Sequence, residues 1–284
     1  VRHVYADQIC AKTNQKMILG IDLGGTNLCM GLVDNGIVVR TISVPSFSPS
    51  SCLEETLEYM SGHISSMMSS DVRKIGVGVP SVVDIKQGIV YNAANIPSWE
   101  EVHLKEFLED RFRIPVSVNN DANCYAMGAY GTYPAESKPE VLVTVTLGTG
   151  IGIGVVDHGR LVCGANCGAG ELGYLPYKDS CLEDYCSRQF FDRHGVKPHE
   201  AYAAAQAGDI GSLRLFEEFG RHLGHALMVL MYAYDPSHIV FGGGGYCSMK
   251  TMVDREFDLL MKHIAGQKEN ISRKMEFVVY NVDE

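Results

Sequence analysis

No apolar run in this sequence reaches membrane-spanning length. The most hydrophobic stretch, ALMVLMYAY at 226–234, is cut short by Asp235-Pro236, so a membrane partner is not expected. The first sixteen residues, VRHVYADQICAKTNQK, lack an apolar h-region and a small-residue cleavage site. The expected location is therefore cytoplasmic, and this leader segment is also too short for a helix-turn-helix domain. Basic residues are in deficit: 24 Lys and Arg against 34 Asp and Glu give a net charge of -10, so the average surface repels a phosphate-coated partner. Nucleic acid is not an expected partner. The nine cysteines are odd in number and show no regular spacing, which excludes a disulfide framework and leaves reduced, buried thiols as the simplest state.

Several phosphate-binding signatures are missing too. There is no Walker A sequence, no HRD or DFG, and no strand-GxGxxG-helix unit. One GxGxxG match does occur, at Gly168, Gly170 and Gly173, but Pro176 follows three residues later and denies it the helix whose N-terminus would bind pyrophosphate.

What is present is a globular composition, 46% hydrophobic and 20% charged, on a chain of 284 residues, long enough for two α/β domains. Strands are expected at Met17–Asp22, Asn27–Val33 and Ile37–Val44, with Asn35-Gly36 as a hairpin turn. A helix from Cys52 to Met68 and a buried strand at Lys74–Val79 follow. The pattern then returns as strands at Val141–Leu147, Gly152–Val156 and Arg160–Cys163, with turns at Gly148-Thr149-Gly150 and His158-Gly159. LGGTNLCMGLVDNGIVV and LGTGIGIGVVDHGRLV match almost position for position after a one-residue gap. This internal duplication implies two related domains, residues 1–122 (1–16 being the leader) and 123–284, whose glycine-tipped hairpins would face each other across a cleft. The second domain adds a long helix, Ser212–Tyr234, a strand His238–Phe241 running into glycines, and a strand-like run Met275–Val282.

Three segments carry chemistry. At Asp22-Leu-Gly-Gly-Thr26, adjacent glycines let backbone N–H groups approach an anion, Thr26 offers a hydroxyl, and Asp22 can hold a hydrated Mg²⁺. An ordinary Gly-Gly hairpin is the alternative, and the second copy at Gly148-Thr149-Gly150 favours phosphate binding. Pro115–Asn123 (PVSVNNDAN) is expected to form a short strand, a polar turn and then a helix at CYAMGAY. There Asp121 is either a helix N-cap or a general base for a hydroxyl nucleophile.

DLGGT at 22–26, GVGVPSVVD at 76–84, NIPSW at 95–99, NNDAN at 119–123, LGTGIGIG at 147–154, GAGELG at 168–173, CLEDYCS at 181–187 and DPSHIVFGGG at 235–244 stand in the order of the ROK family, which the chain resembles from Met17 to Gly245. The resemblance implies the actin-like ATPase (ribonuclease H-like) fold, two duplicated α/β domains around a cleft, and ATP- and Mg²⁺-dependent phosphorylation of a hexose hydroxyl. By the same likeness Asp121 matches the catalytic base, while Asn95, Asn120, Glu171 and Glu183 match positions that hydrogen-bond sugar hydroxyls. Asp22, Gly24, Gly25 and Thr26 with Gly148, Thr149 and Gly150 resemble the phosphate loops, and Gly242, Gly243 and Gly244 the adenosine-side loop. A homodimer is implied by analogy. The family also contains sugar-responsive regulators, so a non-catalytic sugar sensor, or a kinase of N-acetylmannosamine, N-acetylglucosamine, fructose or allose, stands as the alternative to a glucokinase-like enzyme.

The sequence departs from the family at a zinc motif, usually GEIGH followed by CxCGxxGC. Tyr174 occupies the His position, only Cys181 of the three cysteines remains, and Pro176 and Cys181 are separated by just Tyr-Lys-Asp-Ser. No structural zinc is expected, since four-coordinate binding cannot be built from one ligand. Cys167, Cys181, Cys186 and His194 lack the tight CxxC spacing of a substitute site. Tyr174 either supplies a hydroxyl to the sugar pocket or packs as core. Ser81, where the family usually has Gly, is expected near the same pocket. The family normally continues past Asp283-Glu284 through a Gly/Ala-rich helix, so a C-terminal truncation is expected.

Overall fold

The computed structural model describes residues 17–94 and 96–243 and the backbone of 276–279. The chain divides into two compact units, Val1–Asp121 and Ala122–Glu284.

In the first unit, β1 (Met17–Leu23), β2 (Asn27–Asp34) and β3 (Ile37–Pro45) form an antiparallel meander. Period-two alternation buries Leu19, Ile21 and Leu23 on β1 and Leu28, Met30 and Leu32 on β2. Helix α1 (Leu53–Met67) begins where the Glu55 carboxylate accepts the Cys52 backbone N–H at 2.9 Å, and it buries Met60, Ile64 and Met67 at helical spacing. Its Thr56 hydroxyl accepts the buried Trp99 indole N–H at 2.7 Å, so the one tryptophan is both packed and satisfied. Strand β4 (Val72–Val79) lies parallel to β1. Three short strands, β5 (Val82–Asp84), β6 (Ile89–Tyr91) and β7 (Glu101–Val102), form a separate small sheet. Helix α2 (Leu104–Phe112) and strand β8 (Val116–Asn120) complete the main sheet, whose order is β3-β2-β1-β4-β8. Helix α3 (Asp121–Thr132) opens directly after β8 and from Ala122 onward belongs to the second unit, where Ala126 packs against Leu142, Val156 and Val240.

The second unit repeats this plan. Strands β9 (Val141–Leu147), β10 (Ile151–Asp157) and β11 (Arg160–Leu161) form the meander. A short hairpin, β12 (Pro176–Tyr177) and β13 (Ser180–Cys181), leads into helices α4 (Leu182–Cys186), α5 (Arg188–Arg193), α6 (Pro198–Gln206) and α7 (Ile210–Tyr234). Strands β14 (His238–Gly242) and β15 (Glu276–Val279) close the sheet in the order β11-β10-β9-β14-β15, with β9, β14 and β15 parallel. Strand for strand this is the order and polarity of the first sheet. The tight turns match as well: φ is 49° and 79° at Asn35-Gly36, and 46° and 78° at His158-Gly159. The duplication seen in the sequence is therefore a duplication of backbone.

Helix α7 starts where the Asp209 carboxylate accepts the Ser212 N–H at 2.7 Å, two residues before the expected start. It buries Phe216, Phe219, Leu223, Leu227 and Leu230 against the sheet and against Phe190 and Phe191 of α5. Other boundaries also differ from the sequence reading. The third strand of the second meander is only Arg160–Leu161, and the expected polar turn between β8 and α3 does not exist. The run expected at Met275–Val282 is a strand at Glu276–Val279, and its last residues lie outside the described ones. Among the described residues, no helix is long and apolar enough to cross a membrane.

Candidate functional site

In the first unit, the C-terminal ends of three parallel strands gather the candidate residues. Asp22 of β1 pairs with Gly78 of β4, and Gly78 with Asn119 of β8, so this row spans two strand spacings, about 10 Å. Asp22, Asn120 and Asp121 thus share one edge of one sheet. Beyond Asp22 the chain turns back tightly, the Gly24 N–H donating to the Asn27 carbonyl at 2.9 Å, with Gly25 and Thr26 exposed at the tip. The protein around Asp22 raises its carboxyl pKa above the ordinary value of 3.8 by desolvation, although the residue keeps solvent access.

The Asn120 amide donates to the Ser81 carbonyl at 3.2 Å, and the Asn120 N–H donates to the Asn119 side-chain oxygen at 2.8 Å. Ser81 is buried, and its hydroxyl donates to the Tyr91 carbonyl. Ser81 therefore shapes this edge through its backbone carbonyl. Asp121 is the first residue of α3, where the helix macrodipole favours an acidic side chain. Asn95 lies outside the described residues, as does Gly244.

In the second unit the corresponding edge carries the second glycine loop. The Gly148 N–H donates to the Gly150 carbonyl at 3.0 Å, and the Arg188 N–H at the start of α5 donates to the Gly148 carbonyl at 3.0 Å. Glu183 of α4 braces the loop from the side: its carboxylate accepts the Ile151 N–H at 3.1 Å and the Gln189 amide at 3.2 Å. Contact is so close that a Cβ on residue 150 would stand 2.3 Å from a Glu183 oxygen, so only glycine there lets Glu183 keep its place. A carboxylate offers about four lone-pair sites, and Glu183 uses two on the protein. The sequence had marked Glu183 only as a sugar ligand, because its contact with the loop crosses more than thirty positions.

Glu171 caps the 3₁₀ turn Leu172–Tyr174, of which Tyr174 is the last residue, and the turn packs against β10 and α4. Gly170 makes that approach possible with φ of 99°, where an added Cβ would lie 2.5 Å from the Ile153 carbonyl oxygen. The glycines of the rejected GxGxxG thus include a packing contact. Burial raises the Glu171 carboxyl pKa, with the Glu183 carboxylate as a second cause. Tyr174 is 70% exposed, so of its two expected roles the packed-core one falls away. Its phenol pKa is raised first by desolvation and then by the Glu183 and Glu171 carboxylates. Glu171, Tyr174 and Glu183 are thereby brought within electrostatic reach of one another beside the Gly148–Gly150 loop. Gly242 ends β14 opposite Thr146 of β9, and Gly243 follows with φ of 89°.

One feature of this edge went unread in the sequence. An apolar pocket of about 150 Å³ opens beside Gly148, lined by Leu147, Ser187, Arg188, Phe191 and Phe219. Its phenylalanines, Phe191 and Phe219, belong to the aromatic core of the second unit, and no motif in the sequence singles them out.

Among the described cysteines the expected burial holds only for Cys186; Cys52 and Cys124 are exposed, and Cys29, Cys163, Cys167 and Cys181 are half-buried. Cys186 is fully buried, with its thiol pushed up to about 12 by desolvation, and His194 donates from Nδ1 to the Phe190 carbonyl at 2.8 Å. Among the described residues, no group of three or more His, Cys, Asp or Glu side chains is arranged to hold a metal. Elemental analysis of the purified protein should return clearly substoichiometric zinc, and one zinc per chain would contradict the expectation of no structural zinc.

The profile of the ROK family matches residues 18–278. The chain belongs to the ROK family. Among curated relatives, a glucokinase from Halalkalibacterium halodurans is 29% identical, over 88% of this chain and 84% of that protein. A beta-glucoside kinase from Listeria monocytogenes is 31% identical, over 80% of this chain and 82% of that one. Among solved structures, a ROK family glucokinase from Streptomyces griseus in complex with glucose and AMPPNP is 25% identical with a TM-score of 0.74, covering 93% of this chain and 94% of that one. The duplicated sheets of this ROK protein are those of the actin-like ATPase fold.

Proposed function

We propose that this ROK protein is an ATP-dependent sugar kinase that transfers the γ-phosphate to a hexose hydroxyl, in the manner of a glucokinase and at the primary 6-hydroxyl. The observation that carries the reading is the pair of glycine-tipped loops at equivalent edges of two duplicated sheets. Glucokinase and beta-glucoside kinase relatives, and a relative holding glucose and an ATP analogue, support the same chemistry.

In this reading the residues divide the work. Backbone N–H groups around Gly24, Gly25 and Thr26, and around Gly148, Thr149 and Gly150, bind the polyphosphate, with Gly242, Gly243 and Gly244 on the adenosine side. Asp22 fits a divalent cation: it is a hard oxygen donor whose ionised form suffers from desolvation, and a cation relieves that cost. Mg²⁺ bound there through water would screen charge on the transferred phosphoryl group. Asn95, Asn120, Glu171, Glu183 and Tyr174 supply paired donors and acceptors for sugar hydroxyls. Asp121 accepts the proton of the attacking hydroxyl as its oxygen adds to phosphorus and ADP leaves.

A coupled ADP-release assay over glucose, mannose, fructose, allose, N-acetylglucosamine, N-acetylmannosamine and a β-glucoside tests the reading. Sugar-dependent ADP release with glucose is expected. Measurable sugar binding without turnover of any sugar would favour a non-catalytic sensor instead.

A further inference from the structure

The hairpin β12–β13 rests on a polar and aromatic cluster around the buried His222 and Tyr185 that the kinase reading does not use. His222 of α7 is 3% exposed, with Nδ1 at 2.9 Å from the Tyr177 hydroxyl and Nε2 at 3.3 Å from the Lys178 ammonium. Lys178 sits at the hairpin tip with φ of 53°, a conformation that favours glycine, yet a lysine stands there and sends its ammonium inward over the Tyr185 ring at 4.9 Å. Tyr177 packs edge-on to Tyr185 and stacks on His225. The Tyr185 hydroxyl donates to Asp179 of the hairpin turn, and Arg193 of α5 donates to the same carboxylate at 2.8 Å.

Helix α4 is held within this arrangement. It carries Tyr185 in the cluster and, two residues earlier, Glu183 on the Gly148–Gly150 loop. The Leu182 N–H also donates to the Leu175 carbonyl at 3.0 Å, tying α4 to the residue just before β12.

We propose that Tyr177, Lys178 and His222 form a clamp that fixes the β12–β13 hairpin on α7 and, through α4, positions Glu183 against the Gly148–Gly150 loop. His222 is a positioning residue in this arrangement, and its effect on catalysis rests on the kinase reading, with the loop binding ATP phosphates.

The clamp has a pH sign. Lys178 can donate to Nε2 only while the imidazole is neutral, and protonation would set two cations 3.3 Å apart. The other groups facing His222 are Tyr177 and Tyr185, and on its own helix Glu218, Arg221 and His225. Burial, then the Lys178 charge, depresses the His222 pKa below 6.5, and Glu218 opposes them. The folded state then binds this proton less tightly than the unfolded state, so the clamp's stability is present at neutral pH and is lost as pH falls below 6.5.

Three proteins test the clamp: wild type, His222→Phe, which keeps a ring without polar atoms, and His222→Gln, which donates and accepts but takes no proton. Two readouts are followed from about pH 8 to about pH 5, the KM for ATP and hydrogen exchange of the Ile151 amide, which Glu183 protects. His222→Phe should raise the KM for ATP about tenfold at neutral pH and speed Ile151 exchange while the protein stays folded by circular dichroism. In wild type the KM for ATP, and the Ile151 exchange rate divided by the intrinsic amide rate at the same pH, should both rise toward low pH, and His222→Gln should flatten that rise. A folded His222→Phe protein with wild-type Ile151 exchange, or a His222→Gln protein with the wild-type acid rise, would overturn the clamp. Because Ile151 exchange needs no turnover, it judges the clamp even if no sugar is phosphorylated, which would count against the kinase reading alone.

Discussion

Asp121→Asn should lower kcat by at least about 100-fold while the KM for sugar stays within about threefold. Asn keeps the size and most of the hydrogen-bonding geometry of Asp but cannot accept the proton of the attacking hydroxyl. The substitution is mild for the fold, since Asn as well as Asp is favoured at helix starts, where Asp121 opens α3 directly after β8. A loss of kcat therefore reports chemistry, provided the melting temperature moves little. Steady-state kinetics at saturating ATP and sugar, beside a thermal melt, make the measurement. Activity within a few-fold of wild type would remove Asp121 as the base and leave it the structural role of a helix-opening carboxylate.

The part of this molecule written in short-range pattern was legible before the structure. Alternating apolar residues gave the two meanders, and Asn35-Gly36 and His158-Gly159 gave their turns, because the side-chain period and positive φ are local properties. Local similarity between the two glycine-tipped segments likewise revealed the duplication that the two sheet orders display. Contacts across long separations were not legible. Glu183 looked like a sugar ligand, and its bond to the Ile151 N–H appears only when α4 is laid beside β10. His222 and Tyr177 lie 45 positions apart, and neither belongs to a motif. The β12–β13 hairpin was hidden for a different reason: its turn is built on Lys178 at φ of 53°, with none of the glycine or asparagine that announces such a turn. Tyr174 stood undecided between core and site because a tyrosine suits both, and its 70% exposure removes the core reading.

Gly150→Ala should cost as much ATP affinity as removing Glu183 outright, and the two changes together should cost little more than either alone. An alanine Cβ at position 150 would lie 2.3 Å from the Glu183 carboxylate oxygen, far inside van der Waals contact. The obstructing atom is the far end of a flexible side chain, so the fold survives and Glu183 swings away, releasing the Ile151 N–H. Glu183→Ala releases the same N–H by deletion. Each single substitution should raise the KM for ATP about tenfold through a loosened Gly148–Gly150 loop, and the double mutant should stay near that value instead of approaching about 100-fold. Such non-additivity is the signature of two changes acting through one contact. If Glu183 also accepts a sugar hydroxyl, both single variants should raise the KM for sugar as well, since both take the carboxylate from its place. Multiplicative effects on the KM for ATP would instead mean that Gly150 and Glu183 serve the site independently, and that the brace does not govern the loop.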